Sequence, residues 1–95
     1  MEIKVSSDHI TITGNIKSVS DFQQIKNTVD NIVSKHKNIL IHIVDSLSMT
    51  SSVIGYFNKL VLKDGINLQI HVGNQQLLDL LNDLNLTSTF KARKV

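Results

Sequence analysis

The chain has 95 residues, a formal charge of +2, and no cysteine, proline or tryptophan. That length predicts one domain over residues 1–95. Without cysteine there is no disulfide framework, no thiolate nucleophile and no thiolate metal site.

Ile, Leu, Val and Phe supply 35 of the residues, more apolar material than a disordered chain carries. No apolar run approaches the ~20 residues that span a bilayer. Met1-Glu2-Ile3-Lys4 lacks the pattern of a signal peptide. These features predict a cytoplasmic location and no membrane insertion. Lys91, Arg93 and Lys94 contribute +3, and the preceding 90 residues sum to −1. A basic end on a balanced body reads as a solvated edge. With no cluster of aromatics to stack bases, nucleic acid is not expected as a partner.

In chain order, Glu2 to Val5 and His9 to Thr13 alternate apolar and polar residues around a polar break, the pattern of an antiparallel hairpin. Gly14 ends the second strand. Ser20 and Gln23 have the spacing of a capping box, which places a helix start at Ser20. Phe22, Ile25, Val29, Ile32 and Val33 form its apolar face, to about Lys35. Ile39 to Val44 is apolar except for His42, as suits a central strand. Val53, Ile54, Phe57, Leu60 and Val61 stripe a second helix that stops at Asp64-Gly65. Ile66, Leu68, Ile70 and Val72 alternate with Asn67, Gln69 and His71, a half-buried strand. Asn74 caps a third helix with Leu77, Leu78, Leu81 and Leu84 or Leu80 inward. Thr89 to Val95 reads as a weak last strand. The fold class is therefore α/β: a mixed sheet of four to five strands with three helices, in the order β-β-α-β-α-β-α-(β). The helices are expected on one face, with Asn67, Gln69 and His71 on the other.

His9, His36, His42 and His71 are the only imidazoles. None forms an i,i+4 helical pair, and Asp45 has the wrong strand parity to join His42. Neither a metal site nor a Ser/His/Asp arrangement is expected. The four glycines are isolated, so no phosphate-cradling loop is present. No cofactor is expected, and the chain does not read as an enzyme.

The segment Asp45-Ser46-Leu47-Ser48-Met49-Thr50-Ser51-Ser52-Val53-Ile54-Gly55 joins the central strand to the second helix, and five of its eleven residues are Ser or Thr. It falls at the carboxyl end of a parallel strand, where ligands and partners bind in open α/β sheets. A hydroxyl there is ordinarily a helix N-cap. The helix amides and dipole would equally favour a phosphate on one of these hydroxyls.

This arrangement resembles the STAS domain, the fold of bacterial anti-sigma factor antagonists. The similarity lies in Asp45, Met49, Thr50, Ser51, Ser52, Val53, Ile54 and Gly55, followed by Tyr56-Phe57-Asn58-Lys59-Leu60. Gly14-Asn15-Ile16-Lys17 corresponds to the family's earlier loop motif, and the element order covers nearly all of the chain. The resemblance implies partner switching, in which the serine at the start of the second helix is phosphorylated by an anti-sigma kinase. That residue is Ser51, with Ser52 and Thr50 as alternatives. It implies partner binding through Asn15, Lys17, Asp45, Met49, Thr50, Ser51, Ser52 and Val53. The chain departs from the pattern where Thr50 replaces the acidic residue before the serine. Asn15 and Lys17 likewise replace acids, and Val53 replaces a glycine.

The expected partner is an anti-sigma serine kinase or a related ATP-binding regulator, met by a monomer or weak dimer. A second possibility is an unphosphorylated STAS subunit docking on the ATPase of a lipid-type ABC transporter. A third is a domain that only oligomerises through its sheet edge or helix faces.

Overall fold

Strict alternation of branched aliphatic residues builds the sheet. The structure, a computed structural model, describes residues 1–95. Strands β1 (Glu2–Ser6) and β2 (His9–Thr13) form an antiparallel hairpin, with Ile3 opposite Ile12 and Val5 opposite Ile10. Strands β3 (Asn38–Ile43), β4 (Asn67–Val72) and β5 (Arg93–Lys94) follow in parallel, giving a mixed five-stranded sheet in the order β1-β2-β3-β4-β5.

Helices α1 (Val19–Val33), α2 (Ser51–Leu62) and α3 (Gln75–Asp83) connect successive strands. They share one buried cluster with the inward residues of the sheet, which include Ile10, Ile12, Ile41, Ile43, Ile70 and Val72. All three therefore cover a single sheet face. The four aromatics form one continuous line through this helix layer. Phe22 meets Tyr56 edge-on at 6.3 Å, Tyr56 lies 5.9 Å from Phe57, and Phe57 meets Phe90 edge-on at 6.1 Å. Edge-to-face pairs of this kind add about 0.5–1.5 kcal/mol each beyond area burial. Tyr56 also donates to the Asp30 carboxylate, which ties α2 to α1.

Two element boundaries differ from the sequence expectation. Helix α1 is capped by Ser18, not Ser20, and its box partner is Asp21, not Gln23. The Asp21 carboxylate accepts from the N–H groups of Lys17 and Ser18 at 3.0 and 3.1 Å, while Asp21 N–H donates to Ser18 Oγ at 3.0 Å. A charged acceptor at a helix start outcompetes a glutamine for the same role. Helix α2 stops at Asp64-Gly65 as expected: its last helical residue is Leu62, Gly65 takes φ +69°, and Ile66 N–H returns to the Leu60 carbonyl. The last strand shrinks to Arg93–Lys94, because residues 87–91 coil into turns that drive Phe90 into the core. In α3 Leu77 and Leu81 are buried, Leu78 and Leu80 pack half-buried against the core, and Leu84, the other alternative, is left exposed.

The sheet face away from the helices carries Asn67, Gln69 and His71 from β4, as expected, and His42 from β3 directly beside His71. Burial holds the His71 imidazole below the ordinary histidine pKa of 6.5, helped by the positive charge of Arg93 and by His42 and His9. Its Nε2 is enclosed and has no hydrogen-bond partner. The unfolded chain takes up this proton near pH 6.5, and the folded chain resists until the pH is lower. Stability should therefore be full above about pH 6.5 and decline as pH falls from there toward the lowered folded value. Urea unfolding of the wild type between about pH 7.5 and 5 should show this slope, and His71→Gln should flatten it.

Candidate functional site

Because β2, β3 and β4 run parallel, their carboxyl ends open on the same side of the molecule. The loops leaving β2 and β3 meet there, and short polar side chains bind each to the other. Gly14 N–H donates to Asp45 Oδ1 at 2.7 Å, and Leu47 N–H donates to Asn15 Oδ1 at 3.1 Å. Between them, Ser46 Oγ accepts from Ile16 N–H at 3.0 Å and donates to the Ser48 carbonyl at 2.7 Å. Ser46 is the only polar residue fully buried in the molecule. These bonds satisfy backbone groups that no strand or helix reaches, which a buried loop requires. Gly14 itself sits at φ +94°, a conformation that side-chain-bearing residues rarely adopt.

This clasp delivers the chain to the start of α2. Thr50 is the N-cap: its Oγ1 accepts from Val53 N–H at 3.4 Å, and its carbonyl accepts from Ile54 N–H. Ser51 and Ser52 follow as the first two helical residues, both exposed, with hydroxyls that bond to nothing else in the chain. The first turn holds no acidic residue. A cleft of about 140 Å³ separates this turn from the start of α1, lined by Lys17, Ser18, Val19, Phe22, Thr50 and Ser52. Two helix N-termini and one lysine thus border a small depression. Ser52 faces it, and Ser51 does not line it.

The residues expected at a binding surface fall into three groups. Lys17, Ser51 and Ser52 are exposed, with Thr50 half-buried beside them. Asn15 and Asp45 are exposed, yet their side-chain oxygens are occupied in holding the two loops together. Met49 and Val53 belong to the core, so their side chains offer a partner no surface. Burial also accounts for valine at position 53: its side chain anchors the first turn of α2 to the body of the protein. Sequence reasoning passed over Ser46. Its signal lay in the pairing of two polar loop starts, Gly14-Asn15 and Asp45-Ser46, at the ends of neighbouring parallel strands.

Farther along α2, Gly55 is exposed, and nothing lies within 4 Å of the place its Cβ would take. It is one turn after Ser51, on the same side of the helix. Leu62 is 72% exposed two turns beyond. The outward side of α2 therefore runs from the free Ser51 hydroxyl, across a bare stretch of backbone, to an uncovered leucine.

Comparison with protein-family models, curated proteins and solved structures finds no match to this chain.

Proposed function

We propose that the chain is a STAS-type regulatory binding protein that docks a partner on the exposed side of α2 and is switched by phosphorylation of Ser51. The observation that carries this reading is the division of labour at the start of α2. Thr50 performs the capping, so the adjacent Ser51 hydroxyl is exposed and structurally idle. A serine needed as a cap could not be modified without cost to the fold. One that is free can carry a phosphate, which the helix amides and dipole tolerate.

Phosphorylation adds about −1.5 to −2 of charge at pH 7. Because the first turn of α2 has no acid of its own, the modified and unmodified surfaces differ by the whole phosphate charge. A partner that packs closely against α2 would have to desolvate that charge or meet it with its own basic groups. Gly55 supports close packing. A glycine inside a helix costs about 0.5–1 kcal/mol relative to alanine. No intramolecular contact at Gly55 accounts for that cost. A partner backbone or side chain seated over the bare turn does.

The partner favoured by this reading is an anti-sigma serine kinase or related ATP-binding regulator, and the chain itself has no catalytic role. Incubation with such a kinase and ATP should place phosphate on Ser51, read by mass spectrometry. Absence of phosphate from Ser51, Ser52 and Thr50 would overturn the switch. Ser51→Asp should weaken kinase binding at least about tenfold while Ser51→Ala retains it, and neither should lower thermal stability. Gly55→Ala should raise folding stability by about 0.5–1 kcal/mol yet weaken binding, a combination that a purely structural glycine cannot give. Co-purification with a transporter ATPase and its permease instead of a kinase would reassign the same surface to a transporter subunit.

A further inference from the structure

The sheet face opposite the helices is uncovered, and its composition is unlike that of the helix layer. Strand register sets Lys4, Thr11, His42, His71 and Arg93 side by side in one row across all five strands. The next row holds Ser6, His9, Leu40 and Gln69. Leu40 is the one apolar side chain that the strands direct to this face. At its margin Asn67 donates to Asn38 at 2.7 Å and accepts from the Lys91 ammonium.

Charge separates in the same way. Residues 14–90 carry six lysines and six aspartates, which cancel. The β1–β2 hairpin sums to −1 and the segment after Phe90 to +3, so the net charge of +2 comes from the last five residues. Glu2 lies 3.7 Å from Lys4, and Asp8 lies 3.8 Å from His9. Lys91, Arg93 and Lys94 have no ion-pair partner. The basic end of the chain is thus not a loose edge. Strand β5 pins Arg93 beside His71, and Lys91 is fixed at the adjoining corner.

We propose that this open sheet face docks an acidic segment of a partner protein, laid across the strands so that its carboxylates meet Arg93, Lys91 and Lys4. Thr11, Asn67 and Gln69 supply hydrogen-bonding groups between the cations. The charge complement selects this occupant over three others. A nucleic acid would need aromatic platforms or some 6–10 phosphate contacts, and all four aromatics lie in the helix layer. A lipid surface would need more apolar side chains than Leu40. A second copy, face to face, would set Arg93 and Lys91 against their own kind, with Glu2, already beside Lys4, as the one strand carboxylate on the face.

His71 gives the interaction a pH dependence opposite in sign to that of the fold. The groups that face His42 and His71 are Lys4 from β1, His9 and Thr11 from β2, and Arg93 from β5; no carboxylate stands in their row. Acidification adds positive charge that the protein alone disfavours and that an acidic segment neutralises. Docking should tighten as pH falls, over the range in which the free protein loses stability.

The test is titration of the folded chain with a hexaglutamate peptide at low salt, followed by NMR. Amides of Thr11, His42, His71 and Arg93 should shift, with affinity at least about fivefold tighter at pH 5.5 than at pH 7.5. Arg93→Gln with Lys4→Gln should weaken binding at least about threefold at both pH values. His71→Gln should remove most of the pH dependence, with thermal melting confirming that each variant is folded. Silence at the open face, or shifts confined to the lysines of the helix layer, would overturn the proposal. So would tighter binding of single-stranded RNA, or of phosphatidylglycerol vesicles, than of the peptide. Ser51→Asp should leave peptide binding unchanged, so this outcome is independent of the switch on α2.

Discussion

Gly73→Ala is expected to destabilise the protein by roughly 3 kcal/mol. A Cβ at position 73 would lie 2.0 Å from the Val44 carbonyl oxygen and 3.0 Å from its carbon. Both are backbone atoms, so no side-chain rotation relieves the overlap. Gly73 N–H also donates to the Ile43 carbonyl at 2.9 Å, which holds the exits of β3 and β4 together at that distance. The only relief is to part the two strands at their carboxyl ends. That movement would drag Val44, and with it the clasp at Asp45 and Ser46. Urea unfolding should show the midpoint falling at constant slope. The identical substitution at Gly55, where nothing lies within 4 Å, should act in the opposite direction. Gly55, inside α2, and Gly73, just past the end of β4, thus have opposite meanings, set by what lies where each Cβ would go.

How legible the sequence was followed from where each signal originates. The strands were legible because burial on one face imposes a period of two, and Ile39-Ile41-Ile43 and Leu68-Ile70-Val72 obey it without exception. Parallel pairing followed from the intervening helices. The start of α1 was misplaced because Ser18 and Ser20 both suit a cap; the choice depends on which carboxylate reaches back, and Asp21 does. Thr89 to Val95 carries only a weak strand signal, and the strand forms only at Arg93–Lys94. The preceding residues turn so that Phe90 packs against Phe57 in the core. Within the candidate site, the position of Ser51 at the start of α2 was readable from the Ser/Thr run. The engagement of Asn15 and Asp45 was not, since it depends on two loops 30 residues apart meeting across β2 and β3.

The basic end of the chain shows the same limit in another form. As sequence, Lys91, Arg93 and Lys94 are a short terminal run with no stated neighbour. Strand pairing is what converts them into part of a surface, because a two-residue strand is enough to fix parity. Arg93 points with His71 to the open face, and Lys94, in register with Val72, takes the opposite direction. The local composition is unchanged; the context supplies the chemistry.

Ser46→Ala should cost about 2 kcal/mol, a large effect for removal of one exchangeable hydroxyl. Ser46 is 1% exposed, and its Oγ both receives the buried Ile16 N–H and donates to the Ser48 carbonyl. Alanine would leave that N–H unsatisfied in a place water does not reach, and the penalty is its full desolvation cost. Ser48→Ala is the control: Ser48 contributes only its carbonyl, and its exposed side chain should be nearly neutral to remove. Hydrogen exchange should locate the damage. In Ser46→Ala the amides of Ile16 and Leu47 should lose protection together, because the Asn15 and Asp45 bonds close the same clasp. A uniform loss across the sheet, without excess at these two amides, would mean that Ser46 supports the core and not the loops. If the loops do loosen, the start of α2 loosens with them. Ser51 in this variant should then be a poorer kinase substrate than in wild type, although residue 46 lies outside the exposed surface a kinase would touch.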